Sequence, residues 1–215
     1  MRSARGMLIV GLMAGLAPGA ARAQDACGDY LRAPAKGGWA QYQVTDTKKH
    51  EQTTMRLAII GGEQREGKDL VWIEMSMTAE RGNMIMQMLV PGYPYEPSGV
   101  QEIVMKAGNQ PAMKMGPAMM GMIRSQMANN PGASMQEACK NVTLVGEESV
   151  TVPAGSFSTR HYRSTGAHAG DSWIARGQAF GLVKSTDGEH EMVLTGTGND
   201  AKSSITETPQ EMPGM

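Results

Sequence analysis

The sequence predicts a mainly β protein: a curved antiparallel sheet, or half-barrel, with one Met-rich helix packed on its concave face. Three observations predict it. β-Branched, aromatic and thioether side chains recur with period two in many short segments separated by Gly- and Pro-rich pieces. One stretch alone, 113–129, carries the three- and four-residue spacing of an amphipathic helix, through Met119, Met122, Ile123 and Met127. The run Val150-Thr151-Val152-Pro153-Ala154-Gly155-Ser156-Phe157 reads as a tight hairpin, because Pro153 lacks a backbone donor and Gly155 is free to take a positive φ.

Arg2 and Arg5 precede an apolar run over 7–16, and the small-residue site Ala21-Arg22-Ala23 follows. Residues 1–23 therefore read as a signal peptide cleaved near Ala23, directing the chain to the periplasm. Cleavage leaves 192 of the 215 residues, of which 24–198 read as a single domain and 199–215, rich in Ser, Thr, Pro and Glu, as a disordered tail. No acid lies in the signal, so 17 Lys and Arg face 21 Asp and Glu in the exported chain. That excess of acid argues against nucleic acid and anionic membrane as electrostatic partners. Cys27 and Cys139 are the only cysteines. In an oxidising compartment they predict a Cys27–Cys139 disulfide, worth about 4 to 5 kcal/mol for so long a loop in the chain-entropy model. The rival is lipidation of Cys27, against which Gln24-Asp25-Ala26 is too polar for a lipoprotein cleavage site.

After a short arm, segments 39–44, 53–60, 70–78, 83–90 and 100–105 alternate, with turns such as Gly61-Gly62-Glu63 and Arg81-Gly82-Asn83 between them. They read as an antiparallel meander. On the third segment Val71, Ile73, Met75 and Met77 share one apolar face, opposite Leu70, Trp72, Glu74 and Ser76. Residues 91–97 hold four prolines and glycines around Tyr93 and Tyr95 and read as a loop, since proline cannot donate to a ladder. The helix follows, with Pro117 in its first turn and Asn129-Asn130-Pro131-Gly132 as its stop. Strands return at 142–145, 150–152, 157–163, 172–175, 182–186 and 191–195.

The order Gly146-Glu147, Val150-x-Val152-Pro153-Ala154-Gly155-x-Phe157-x-Thr159, Trp173-Ile174 and Phe180-Gly181-Leu182-Val183-Lys184 resembles the second half of periplasmic lipoprotein-carrier-like half-barrel domains. The same pattern occurs in uncharacterised exported families. The resemblance is strong in the C-terminal half and covers the meander only in outline. It implies a sheet curled around helices that holds an acyl chain or another apolar ligand. This chain differs in carrying one central helix rather than several, and Met in place of bulky aliphatics. Phe157 and Trp173 are expected as core anchors.

Thirteen of the 20 methionines fall between Met75 and Met135, and three readings of them stay open. Met fills an irregular sheet–helix interface, which its flexible thioether does well. Or Val71, Ile73, Met75, Met77, Met84, Met86, Met88, Met119, Met122, Ile123 and Met127 line a pliable pocket for a lipid or acyl chain. Or Met113, Met115, Met119, Met120 and Met122 hold Cu(I), which soft thioethers favour. Met84-x-Met86-x-Met88 is a poorer ligand set, because residues i and i+2 of a strand stand about 7 Å apart.

His50, His161, His168 and His190 are scattered, and Arg160 and Arg163 alternate with His161 as a solvent face. His-Glu-x-x-His, paired-cysteine metal spacing and Gly-x-Ser-x-Gly do not occur in the sequence. The reading is thus a monomeric, non-enzymatic periplasmic carrier of a hydrophobic ligand, needing no cofactor, with an envelope protein as a further partner. A periplasmic Met-rich Cu(I)-binding protein is the alternative.

Overall fold

The alternating segments join into one twelve-stranded sheet in the computed structural model, which describes Gly28 and residues 32–80, 82–95, 97–128, 141–165 and 169–212, the side chains of 97, 118 and 126–128 excepted. The strands are β1 (Trp39–Asp46), β2 (Gln52–Arg65), β3 (Lys68–Ala79), β4 (Gly82–Val90), β5 (Glu102–Ala107) and β6 (Met113–Lys114). Helix α1 (Pro117–Ala128) follows, then β7 (Val142–Val152), β8 (Gly155–Ser164), β9 (Gly170–Ile174), β10 (Leu182–Thr186), β11 (His190–Gly198) and β12 (Gln210–Glu211). Their order in the sheet is β12-β6-β5-β4-β3-β2-β1-β11-β10-β9-β8-β7. All neighbours pair antiparallel except β12 with β6, and the sheet is not closed.

The helix is shorter than the sequence predicts. Met113 and Lys114 extend the sheet on β5, Met115 N–H donates to the Ile103 carbonyl at 3.0 Å, and the helix starts at Pro117. Proline supplies the reason, since it disfavours helical backbone in the residue before it and suits the first helical position. Conversely, the segments at 142–145 and 150–152 fuse into the single strand β7. A register shift between Leu144 and Gly146 absorbs the irregularity, and Gly146 pairs with His161.

The predicted hairpin forms, with Val152 opposite Gly155 and Gly155 at φ 133°. Its tip turns back over the sheet: Ala154 N–H donates to the Leu194 carbonyl of β11 at 3.2 Å, although β8, β9 and β10 separate the two strands in the sheet order. This half is therefore rolled around a core of Ala40, Tyr42, Val152, Ala175, Val183 and Leu194, with Phe157 against it. The Tyr42 hydroxyl donates to the Leu182 carbonyl at 3.2 Å, so its burial leaves no orphaned polar atom. A second core of Ile59, Ile73, Met88, Val90, Val100, Ile103 and Met120 lies beneath α1. Arg124 Nε docks the helix by donating to the Val100 carbonyl at 2.8 Å. Phe180 packs against both cores and meets the Tyr93 ring edge-on at 5.7 Å.

The tail departs from the expectation of disorder. Residues 199–212 strap the opposite face of the sheet, where Ile205 packs with Val104 and Ala112 beside Trp72 and Ile85, and Gln210 and Glu211 pair with β6. Such a composition cannot build its own core, but here the sheet provides one side of the contact. The strap is pinned at Glu74, which is 1% exposed. Ser204 donates to that carboxylate from its backbone N–H at 2.9 Å and its hydroxyl at 2.7 Å, and Gln87 Nε2 donates at 2.8 Å. Signal residues 1–23, Cys27, Cys139, His168 and the Met127 side chain lie outside the described residues.

Glu74→Ala leaves both Ser204 donors without their acceptor and the Gln87 amide with only its bond to Ser203 Oγ. Urea unfolding is expected to show a loss of about 3 kcal/mol, with faster amide exchange at 203–206. Unchanged exchange in the strap would show that Glu74 does not hold it.

Candidate functional site

Residues directly opposite in antiparallel strands share a face, with Cβ atoms about 4.5 to 5.5 Å apart. The register therefore assembles apolar residues of β1 to β6 into three rows. The first runs Ile59–Ile73–Met88–Ile103, with Met115 next to Ile103. The second runs Leu57–Met75–Met86–Met105–Met113. The third runs Tyr42–Met55–Met77–Met84–Ala107. Val71 opposite Val90 adds a short fourth row beside the first.

Cover on this face is uneven. Ile59, Ile73, Met88 and Ile103 are buried and cluster with Met120, while Ile123 packs against them. In the second and third rows Met75, Met77, Met84, Met86, Met105 and Met113 are all half-buried. Tyr93, Tyr95 and Phe180 close the end beside the helix, the Tyr95 hydroxyl lying 3.7 Å from Met88 Sδ. Burial pushes the Tyr93 phenol up to about 12, with Tyr95 nearby adding to the shift. Burial likewise raises Tyr95, and it raises Tyr42 further with the help of Tyr93. All three rings stay neutral at ordinary pH.

Of the pocket residues expected from sequence, Val71, Ile73, Met75, Met77, Met84, Met86 and Met88 do share this face, as β3 and β4 pair residue for residue. The helix presents a different side from the one expected. Met120 is buried and Ile123 faces the sheet, whereas Met122 is 57% exposed and Met119 is half-buried. With 3.6 residues per turn, the direction bisecting Met120 and Ile123 leaves Met122 roughly 130° away. The proposed metal set is consequently scattered: Met113 ends the second row, Met115 and Met120 join the buried core, and Met122 points outward. Met55, Leu57, Ile59, Ile103, Met105, Tyr93 and Tyr95 were not expected on the face. Alternation within 53–60 and 100–105 was the available signal, but it needed the strand register to assign a side.

Trp173 is not a core anchor. It stacks on His161 at 4.5 Å and 18°, donates from Nε1 to Glu148 at 2.7 Å, and carries Lys184 Nζ 5.6 Å from its ring centre. His161 Nε2 lies 2.7 Å from Asp171 and Nδ1 3.1 Å from Glu148, while Arg163 Nε donates to Asp171 at 2.9 Å. Burial raises the Asp171 carboxyl, but hydrogen bonds and charge from His161 and Arg163 outweigh it and hold it below the usual carboxylate range. The indole nitrogen needs a partner, which a charged sheet surface supplies better than a core. Among the described residues, no group of three or more His, Cys, Asp and Glu is placed to hold a metal ion.

No protein-family model and no curated protein matches the chain. Among solved structures, it is similar to a candidate exported protein with a YmcC-like fold from Bacteroides fragilis, at 11% identity and TM-score 0.35, covering 79% of this chain and 99% of that one. A candidate lipoprotein from Parabacteroides distasonis gives 13% identity, TM-score 0.36 and the same two coverages. MucB in complex with MucA(peri) gives 10% identity and TM-score 0.41, over 87% of this chain and 57% of MucB. At these scores no ligand or partner carries over.

The raised Tyr93 value sets an alkaline limit. Below the unfolded value near 10 both states hold the phenol proton, and its stabilising effect is complete. As pH rises from there through about 12 the unfolded state alone ionises, so stability falls. Ultraviolet titration is expected to show Tyr93 ionising late and together with unfolding, and Tyr93→Phe to remove that share of the alkaline destabilisation. A Tyr93 that ionises near 10 with the fold intact would contradict its burial.

Proposed function

We propose that this protein is an exported, non-enzymatic carrier that binds a hydrophobic ligand, an acyl chain or lipid, on the methionine face in the periplasm. The observation that carries the reading is the half-buried second and third rows lying beside a helix-covered first row. An apolar chain laid along them would complete the cover that α1 gives only at one end. Binding would then follow from displaced water: covering roughly 300 Å² of apolar surface is worth about 7 kcal/mol before ordering costs. Thioether side chains re-pack at low cost, which suits ligands of varied length. The chain's resemblance to lipoprotein-carrier-like half-barrels supports this reading. The Arg2 to Ala23 leader supports export, and a monomer with no cofactor fits the mode of binding.

Displacement of a fluorescent fatty acid tests the proposal. Wild-type protein and Met86→Leu are expected to bind equally, since the swap conserves volume and apolarity. Met86→Glu is expected to lose at least about tenfold in affinity, roughly 1.4 kcal/mol, while Met122→Glu on the outer side of the helix is expected to bind as wild type. A folded protein that binds no fatty acid, or a Met86→Glu variant that binds normally, would overturn the reading.

A further inference from the structure

The distribution of sulfur over the inner face is uneven in a way that packing alone does not require. Where the face is covered, three of the four sheet residues in the row are isoleucines, Ile59, Ile73 and Ile103. Where it is half-open, Met75, Met86, Met105 and Met113 stand on four successive strands, with Met55, Met77 and Met84 in the next row. Thioethers chosen as gap-fillers belong in the irregular buried core, not preferentially at its accessible margin. We propose that the row Met75–Met86–Met105, with Met113 at its end, is a binding site for a soft monovalent cation, Cu(I) or its surrogate Ag(I).

Geometry favours this set over any methionine run along one strand. Successive same-face residues of a strand are about 7 Å apart, whereas cross-strand neighbours have Cβ atoms about 4.5 to 5.5 Å apart. Met86 sits between Met75 and Met105, so its neighbours need only lean inward for three thioethers to meet above it. The donor set is neutral and soft, and the acids that adjoin these methionines along their strands are turned away: Glu74 opposes Gln87, and Glu102 opposes Leu89, on the other side of the sheet. Such a site discriminates against calcium, magnesium and zinc, which seek carboxylate, imidazole or thiolate. Thioethers carry no proton to lose, so binding releases none, unlike binding to cysteine or histidine. Met77 and Met84 in the adjoining row offer a second set onto which an ion can pass.

This site uses residues of the same second row on which the carrier reading lays its ligand, but it needs their sulfur rather than their apolar surface, and the two fail separately. Replacing sulfur by carbon removes the ligands while leaving the apolar surface in place. The test uses the protein with its thiols alkylated and its methionine methyls labelled with carbon-13, titrated with Ag(I). The Met75, Met86 and Met105 resonances, assigned through single Met→Leu variants, are expected to shift together and saturate at one equivalent. Met86→Leu is expected to weaken Ag(I) at least about tenfold, roughly 1.4 kcal/mol, and Met119→Leu to have no effect on Ag(I). Affinity is expected to stay level between about pH 5 and 8, where histidine titrates. Saturation through the helix methionines, affinity that follows histidine titration, or an unaltered Met86→Leu affinity would each overturn the proposal.

Discussion

The parity of the β3–β4 pairing is the constraint on which both faces depend. Glu74 lies opposite Gln87, between the inward pairs Ile73–Met88 and Met75–Met86. A slip of one residue would turn one strand's methionines outward and bring a carboxylate or an amide into the apolar face. That carboxylate is held by Ser204 and Gln87, with Arg56 Nη1 3.8 Å away. An uncompensated buried charge costs several kcal/mol, so the alternative register is penalised twice, by the lost strap and by the misplaced charge. The strap and the methionine rows are consequences of the same pairing, seen from opposite sides of one sheet.

Along the inner face, side-chain type follows cover. Isoleucine, stiff at χ1, occupies three of the four sheet positions beneath α1, with Met88 the fourth, and methionine predominates in the rows the helix does not reach. A stiff residue at a half-open position would present one fixed relief, whereas a thioether with three rotatable bonds adapts to what arrives. Phe180 links this face to the rolled half by packing on both cores. It does so at φ 61°, a conformation that a bulky residue seldom adopts, so the ring's placement between the cores compensates a backbone cost.

Much of the sheet was legible because period two survives in short strands. Val71, Ile73, Met75 and Met77 showed their common side without help from other strands, and Pro153-Ala154-Gly155 showed its turn. What stayed hidden depended on partners distant in sequence. The outward turn of Met122 is decided by Met120 and Ile123 finding the sheet, yet four apolar residues in a row, Met119, Met120, Met122 and Ile123 about Gly121, offer two nearly equivalent stripes. Ile205 read as part of a disordered tail because its partners Val104 and Ala112 lie about a hundred residues upstream, and Glu74 showed only that it lies opposite the methionines, not that Ser204 closes over it. Trp173 was misjudged from hydrophobicity alone, where the indole N–H and the neighbouring charges decide its surroundings.

Among the described residues, register shifts concentrate in the rolled half, which holds three of the four. They interrupt the pairing at Gln41/Tyr42 between β1 and β11, at Leu182/Lys184 between β10 and β9, and at Leu144/Gly146 between β7 and β8, while the fourth, at Ile59/Gly61 between β2 and β3, lies at the end of the first row. Each such irregularity bends its strand and increases the local twist, and together they let the β7–β8 hairpin reach Leu194. The ladders from β3 to β5 have none: Val71–Val90 through Ala79–Gly82 runs unbroken, and so does Met84–Ala107 through Leu89–Glu102. Without bulges to fold it over, this part of the sheet cannot cover its own apolar residues by rolling. It relies instead on a twelve-residue helix that covers one row. The methionine rows are left half-open by the same regularity that aligns their sulfurs across successive strands.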